Sequence, residues 1–139
     1  MSARAHRFSL VAAHSIYLRY IDVDSHGQSL FFYFFESRGN PDKDPVMLWT
    51  NGGPGSTSAY GLFTELGPCR IDADKKDVVY NPDSWNNHAN IFFIDQPAGV
   101  GFSFSKNGQP VQSSTEQSAV DIQAFVTIVS IAYAMGILA

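Results

Sequence analysis

The chain has 139 residues, of which 45% are hydrophobic, and its eleven Phe, six Tyr and two Trp suffice for the aromatic core of one folded domain. A net charge of −4 without any cluster of Lys or Arg argues against nucleic acid and an anionic membrane surface as partners. A single cysteine and four histidines without metal-ligand spacing argue against an internal disulfide and a metal site, and the sequence indicates no cofactor.

The first 14 residues are predicted to form an N-terminal extension that precedes the fold. Their apolar stretch covers only residues 8–13, is interrupted by Ser9 and ends at His14. A secretory signal peptide needs an apolar core of about 7–15 residues. The sequence therefore predicts no signal peptide, and it leaves the location of the chain open.

Residues 15–23 and 28–37 are predicted to form a β-hairpin. Both segments are rich in aromatic and β-branched residues, and the DSHG sequence between them is typical of a turn. The second segment contains the run LFFYFF, which is apolar on both faces. We therefore expect other parts of the chain to cover both sides of that strand.

A glycine-rich loop follows the next predicted strand. Residues 46–50 (VMLWT) have the length and composition of a buried strand, and NGGPGS follows directly at 51–56. Residues 57–66 are predicted to form a helix that one of residues 56–58 caps. The order of these elements is strand, tight glycine turn and helix.

Strands and helices alternate through the remaining chain. Residues 72–77 are predicted to form a charged turn, 78–80 a short strand, 81–90 a long loop and 91–95 a buried strand. A helix is predicted to begin at 115 and to run through 125, with its apolar face at Ala119, Ile122 and Val126. This order predicts an α/β domain with a parallel sheet and an antiparallel leading hairpin.

The loop Asn51-Gly52-Gly53-Pro54-Gly55 is suited to binding a negatively charged oxygen. Glycines let several backbone N–H groups approach one point, and the following helix adds partial positive charge at its N-terminus. A phosphate-binding loop would need a lysine at its end, and no lysine lies between Lys43 and Lys75. The oxyanion of an acyl-transfer reaction is therefore favoured, and a glycine turn without chemical function is the alternative.

Four motifs in order resemble those of the serine carboxypeptidase family. They are LWTNGGPG at 48–55, GLFTELGP at 61–68, NPDSWN at 81–86 and IDQPAGVGFS at 94–103. The resemblance covers roughly residues 16–125. It implies the N-terminal part of an α/β-hydrolase sheet over 15–125, and a protein that releases C-terminal residues from peptides through an acyl-enzyme.

The resemblance also implies a role for each residue of the loop. The amide of Gly53 would be one oxyanion donor, and Asn51 with the amide of Gly52 would hold the C-terminal carboxylate of a peptide substrate. Glu65 would share a proton with that carboxylate, because two close like charges do not both ionise easily, and binding would be best at acidic pH. Without the resemblance, Glu65 would be interpreted as a solvated helix residue.

Two further residues are implied to line the pocket for the leaving residue of the substrate. They are Tyr60 and Thr64, which lie one helical turn apart. Asp95 is interpreted as a structural residue at the end of its strand, because the family places its catalytic aspartate much later in the chain.

The catalytic triad is not found in these 139 residues. The family's nucleophile lies in a G-x-S-x-G turn, which does not occur in this sequence, and Ser56 and Ser58 lack that setting. We therefore expect a fold that is truncated before the nucleophile strand. The chain is expected to be inactive alone and to need the missing C-terminal part of the fold as its partner. The edge of the strand at 46–50 would then lack a neighbour.

The segment 126–139 departs from the family and has no charged residue. An apolar stretch over 124–139 is shorter than the roughly 20 residues of a membrane-spanning helix, so no membrane span is expected. The segment is interpreted as a divergent apolar tail, and a sequence foreign to the family, such as an unspliced intron, is favoured. A buried helix and a signal-like tail are the alternatives.

Two other functions stay open at this point. An acyltransferase of the same fold would keep the same oxyanion loop, and a non-catalytic interaction protein would use the apolar tail and the hairpin to bind a partner. The resemblance implies a vacuolar, lysosomal or secreted location.

Overall fold

The computed structural model describes residues 16–23, 27–53, 55–72, 74, 77–106 and 114–134. The predicted N-terminal extension, most of the turn at 24–27 and the last five residues of the predicted tail lie outside the described residues.

The predicted N-terminal hairpin is confirmed. Strand β1 (Ile16–Asp22) pairs antiparallel with strand β2 (Gln28–Phe35), and Ile16 lies opposite Phe35. The side chains of β2 are almost all buried, whereas Leu18 and Tyr20 of β1 are exposed. β2 is therefore a central strand and β1 an outer one.

The glycine-rich loop and a small second sheet follow the hairpin. Strand β3 (Val46–Trp49) leads into the loop, as predicted. Strands β4 (Cys69–Asp72) and β5 (Asp77–Tyr80) form a two-stranded antiparallel sheet, of which only β5 was predicted. Two of the four residues of β4 are exposed, so that strand has no apolar run that would mark it in the sequence.

The large sheet has the strand order β1-β2-β6-β3. Strand β6 (Asn90–Ile94) pairs antiparallel with β2 and parallel with β3, and strand β7 (Phe104–Ser105) pairs with the start of β2. The described sheet thus contains one parallel pair of strands, whereas the sequence predicted a parallel sheet behind the antiparallel hairpin. The α/β class is confirmed, and the pairing of β6 with β2 is a long-range feature that no local pattern indicates.

The two faces of β2 and β6 are both covered, as their composition predicts. One face carries Leu30, Phe32, Phe34, Phe92 and Ile94, and helix α1 (Thr115–Ala134) adds Phe125 and Val129 to it. The other face carries Phe35, Ile91 and Phe93 and packs against Leu62 and Leu66. Burial of each large apolar side chain stabilises the fold by about 1.5–3 kcal/mol.

Helix α1 begins as predicted and continues without a break past residue 125. The backbone N–H of Gln117 donates to the Ser114 hydroxyl at 3.2 Å, which caps the first turn. The inward face is formed by Ile122, Phe125 and Val129, whereas the predicted Ala119 and Val126 are exposed. The prediction was right for Ile122 and wrong for Ala119 and Val126, because the larger Phe125, rather than Val126, fills the space against the sheet.

Candidate active site

The loop after β3 makes the sharp turn that its glycines predict. Gly53 has φ = 130° and Gly55 has φ = 108°, a backbone conformation that residues with a Cβ rarely adopt. The N–H of Ser56 donates to the carbonyl of Gly52 at 3.2 Å, which closes the turn. Gly52 and Gly53 are exposed, so a bound molecule can approach their backbone N–H groups.

The side chain of Asn51 is held at its oxygen. Asn51 Oδ1 accepts hydrogen bonds from Trp49 Nε1 at 2.8 Å and from the N–H of Gly61 at 3.1 Å. Because an asparagine amide carries an acceptor oxygen and a donor NH₂ group, this arrangement leaves the NH₂ group to donate to an acceptor such as a carboxylate. Within the described residues, no hydrogen bond engages that NH₂ group.

Trp49 orients Asn51, a role that was missed in the sequence. A buried or half-buried tryptophan usually finds an acceptor for its N–H group. Trp49 and Asn51 are also separated by two residues in an extended segment, so their side chains point to the same side. These two observations together would have been enough to predict the contact.

The predicted helix at 57–66 is present but ends in a wider turn. Its first residues are helical from Ala59, and Gly61–Glu65 forms a π-helix in which the N–H of Leu66 donates to the carbonyl of Gly61 at 3.0 Å. The N–H of Gly61 points to Asn51 instead of the preceding helical turn. Such π-turns are frequent at functional sites, and this one results from a tertiary hydrogen bond.

Close packing explains why residue 61 is a glycine. A Cβ atom added at Gly61 would lie 2.2 Å from Trp49 Nε1, which is closer than side chains can approach. The glycine therefore lets the indole ring, the Asn51 amide and the helical turn come together.

Asp95 connects the glycine-rich loop to the sheet. Its side chain is buried, and its carboxylate accepts hydrogen bonds from the Thr57 hydroxyl at 2.7 Å, the N–H of Ser58 at 2.8 Å and the N–H of Phe102 at 3.0 Å. These contacts agree with its interpretation as a structural residue at the end of β6.

The other predicted site residues lie on the exposed side of the helical turn. Tyr60 is 61% exposed, and Thr64 and Glu65 are also exposed. The Thr64 hydroxyl donates to the carbonyl of Tyr60 at 2.7 Å. In the part of the chain that the structure describes, no hydrogen bond joins Glu65 to Asn51 or Gly52.

The NPDSWN motif has a structural role next to this site. Asn81 Nδ2 donates to the carbonyl of Gly67 at 2.8 Å, and the Ser84 hydroxyl donates to the carbonyl of Leu66 at 3.0 Å. The N–H of Trp85 donates to the same Leu66 carbonyl at 3.1 Å. The motif thus satisfies the carbonyl groups that the end of the helical turn leaves without helical partners.

Cys69 is a buried free cysteine at the start of β4. Burial raises the pKa of its thiol to about 11, and the nearby Arg38 guanidinium opposes this effect only in part. The thiol is therefore protonated at neutral pH and is a poor nucleophile.

Neither a metal centre nor a membrane-spanning helix is found within the described ranges. No three His, Cys, Asp or Glu residues among them lie together as metal ligands would. None of their helices combines the length and the hydrophobicity that crossing a bilayer requires.

Three comparisons place the chain among known proteins. The family model for serine carboxypeptidase matches residues 9–128. Carboxypeptidase Y homolog A of Paracoccidioides lutzii is 54% identical over 112 residues, which are 81% of this chain and 20% of that protein. Carboxypeptidase Y of Candida albicans is 48% identical over 118 residues, which are 85% of this chain and 20% of that protein.

A solved structure shares the fold. The crystal structure of Kex1(delta)p, a prohormone-processing carboxypeptidase from Saccharomyces cerevisiae, matches with a TM-score of 0.65 and 28% identity. The match covers 81% of this chain and 26% of that one. The chain spans about a fifth of the length of the curated relatives that it matches. The matched family model covers most of the chain, and the chain therefore belongs to the serine carboxypeptidase family.

Proposed function

We propose that the chain supplies the oxyanion loop and the carboxylate-binding residues of a serine-type carboxypeptidase, which hydrolyses peptides at their C-terminus. The observation that carries this proposal is the loop after β3. Its Asn51 amide is held at the oxygen by Trp49 and Gly61, and its Gly53 has a positive φ and is exposed. Oriented donors of this kind stabilise negative oxygens effectively because they need no reorganisation during the reaction.

Within this proposal, two groups of the loop bind two different oxygens. The N–H of Gly53 donates to the oxyanion that forms when the peptide carbonyl is attacked. The NH₂ group of Asn51 and the N–H of Gly52 donate to the C-terminal carboxylate of the substrate. Tyr60 and Thr64 line the pocket for the side chain that leaves, and their exposed position supports this assignment.

Glu65 is proposed to bind the same substrate carboxylate by sharing one proton with it. Two close carboxyl groups hold a proton more tightly than either does alone, so binding of substrate is expected to weaken as the pH rises. This behaviour fits an acidic compartment such as a vacuole or lysosome, or an acidic extracellular site.

These 139 residues are proposed to be inactive on their own. They contain no G-x-S-x-G turn and therefore no nucleophile of the family's kind. The partner that completes the site would be the C-terminal part of the fold, next to β3, which has only β6 as a neighbour within the described sheet. The described helix continues past residue 125, and the family model matches up to residue 128, so we propose that the divergent tail begins near that point.

A chimera tests the proposal. The 112-residue segment of the Paracoccidioides lutzii relative that matches this chain is replaced by the segment of this chain. Release of C-terminal amino acids from peptides is then measured for the chimera, for the parent relative and for the isolated 139-residue chain. We expect the chimera to retain activity within about tenfold of the parent and the isolated chain to show none.

Two results would contradict the proposal. A folded chimera without carboxypeptidase activity would show that this loop does not support the reaction. A chimera that transfers acyl groups to an acceptor but does not hydrolyse peptides would favour the acyltransferase. The chimera with Glu65→Gln provides a second measurement, because its substrate binding should lose the decline with rising pH that the shared proton causes.

A further inference from the structure

Asp95 and Asn51 end two neighbouring strands at the same edge of the sheet. Strands β3 and β6 are parallel, and Trp49 lies opposite Phe93 in their register. Asn51 follows Trp49 by two residues, and Asp95 follows Phe93 by two residues, so both lie just beyond the end of this strand pair. The carboxyl ends of parallel strands are where open α/β sheets place their ligands.

The buried Asp95 carboxylate is held by neutral donors. Its three hydrogen bonds come from the Thr57 hydroxyl and from the N–H groups of Ser58 and Phe102. Among the described residues, no salt bridge compensates its charge. A buried carboxylate is stable only when such donors surround it, so the loop and the segment around Phe102 must keep their positions relative to Asp95.

Ser58 connects Asp95 to the backbone of Asn51 through hydrogen bonds. The Ser58 hydroxyl is fully buried, donates to the carbonyl of Ile94 at 2.5 Å and accepts the N–H of Asn51 at 3.1 Å. The backbone of Asn51 is thus fixed through Ser58, whereas its side chain is fixed through Trp49.

Asp95 is itself anchored in the centre of the sheet. Its N–H donates to the carbonyl of Phe31 at 3.0 Å, and its carbonyl accepts the Ser103 hydroxyl at 2.6 Å. Ser103 in turn accepts the N–H of Phe31 at 2.7 Å. The central strand β2 therefore supports the residue that supports the loop.

We propose that Asp95 and Ser58 are positioning residues that hold the backbone of Asn51 and the glycine turn in the geometry required to bind the substrate's C-terminal carboxylate. The inference rests on the proposed function of the loop. The chain of contacts runs from β2 through Asp95 and Ser58 to Asn51, and neither Asp95 nor Ser58 is expected to touch the substrate.

Amide hydrogen exchange on the 139-residue chain measures this support directly. In Asp95→Asn, the NH₂ group of the new amide must replace one acceptor oxygen, so either Phe102 or the pair Thr57 and Ser58 loses its acceptor. We expect the N–H of Asn51 to exchange about tenfold or more faster in Asp95→Asn and in Ser58→Ala, with the β1–β2 hairpin unchanged.

Asp44→Asn is the matched control. The Asp44 carboxylate also accepts a hydroxyl and a backbone N–H, from Ser37 and Asn40, but it has no hydrogen bond to the glycine-rich loop. Its replacement should leave the exchange of Asn51 unchanged. Equal exchange of Asn51 in the wild-type chain and in Asp95→Asn would overturn the inference, and so would a wild-type chain in which Asn51 has no protection.

The chimera gives the functional readout. In a chimera that is active, we expect Asp95→Asn and Ser58→Ala to raise KM by about tenfold or more with a smaller change in kcat, because they weaken binding of the substrate carboxylate. Ser58→Thr keeps the hydroxyl and should restore most of the loss. An unchanged KM would overturn the positioning role. An inactive parent chimera would instead contradict the proposed function, and the exchange measurement would still decide the inference.

Discussion

At the residue scale, the close packing of Gly61 against Trp49 holds the side-chain amide of Asn51 in the candidate active site. Gly61 lies against the indole ring of Trp49, and both donate to the amide oxygen of Asn51. The motif sequence was sufficient to identify Asn51 as a candidate. The approach of Gly61 to Trp49 and Asn51, unlike the local contact between Trp49 and Asn51, could not be predicted from residue types alone, because it depends on a helical turn folding back over the end of a strand.

Gly61→Ala tests this packing. The added methyl group has no space beside Trp49, so the free energy of unfolding should fall by about 1–3 kcal/mol. Gly52→Ala is the matched control, because a Cβ at Gly52 meets no atom within 4 Å. Urea unfolding followed by tryptophan fluorescence measures both variants, and equal midpoints would show that the close approach is absent.

The reactivity of Cys69 tests the burial of β4. With its pKa raised to about 11, the thiol should react with iodoacetamide at about pH 8 at least about tenfold more slowly in the folded chain than in urea. Mass spectrometry of the alkylated protein gives the two rates. Similar rates in both conditions would mean that the Cys69 thiol is accessible to solvent in the folded chain, so that β4 is not packed as described.

At the scale of the element, helix α1 belongs to the core of the sheet. Phe125→Ala should lower the free energy of unfolding by about 3–5 kcal/mol, because it removes a fully buried ring that packs against Phe32 and Phe92. Val126→Ala on the exposed side should cost less than about 1 kcal/mol. Similar losses in the two variants would contradict the docking of α1.

Acid should weaken the ends of the sheet. A hydrogen bond from Lys106 and one from Ser29 lower the pKa of Asp22, and hydrogen bonds from Ser37 and Asn40 lower the pKa of Asp44. A carboxyl with a lowered pKa in the folded state stabilises the fold above its unfolded pKa, and this stabilisation is lost as the pH falls through the folded pKa. The urea concentration at the midpoint of unfolding should therefore decrease as the pH is lowered below about 4.

Asp44→Asn is the variant that checks the acid effect. Its unfolding midpoint should depend less on pH below about 4 than that of the wild-type chain, because one of the titrating carboxylates is gone. An identical pH dependence would show that the hydrogen bonds from Ser37 and Asn40 do not form in solution.

Local patterns were sufficient for the strongly apolar elements. β1, β2, β3 and β6 were predicted from aromatic and β-branched runs, and the structure places each within a residue or two of the predicted bounds. β4 and the π-turn were missed. The first is half exposed, and the second exists because Asn51 takes the N–H of Gly61 out of the helical hydrogen-bond series.

At the scale of the whole molecule, the described fold leaves apolar surface on strand β3 at one edge of the sheet and on the outer side of helix α1. Val46 and Leu48 are exposed on β3, and Val120, Ile128 and Ile131 are exposed on α1. A helix with apolar residues on both sides is usually buried on both sides. This surface supports the proposal that the remaining part of a carboxypeptidase fold packs here.

The central claim is that Asn51 recognises a free C-terminal carboxylate. The most direct measurement compares the hydrolysis of one peptide with a free C-terminus and of the same peptide amidated, by the chimera and by its Asn51→Ala variant. We expect Asn51→Ala to lower kcat/KM for the free peptide by about tenfold or more and to leave the amidated peptide nearly unchanged. Equal losses for both peptides, or no loss for either, would contradict the account.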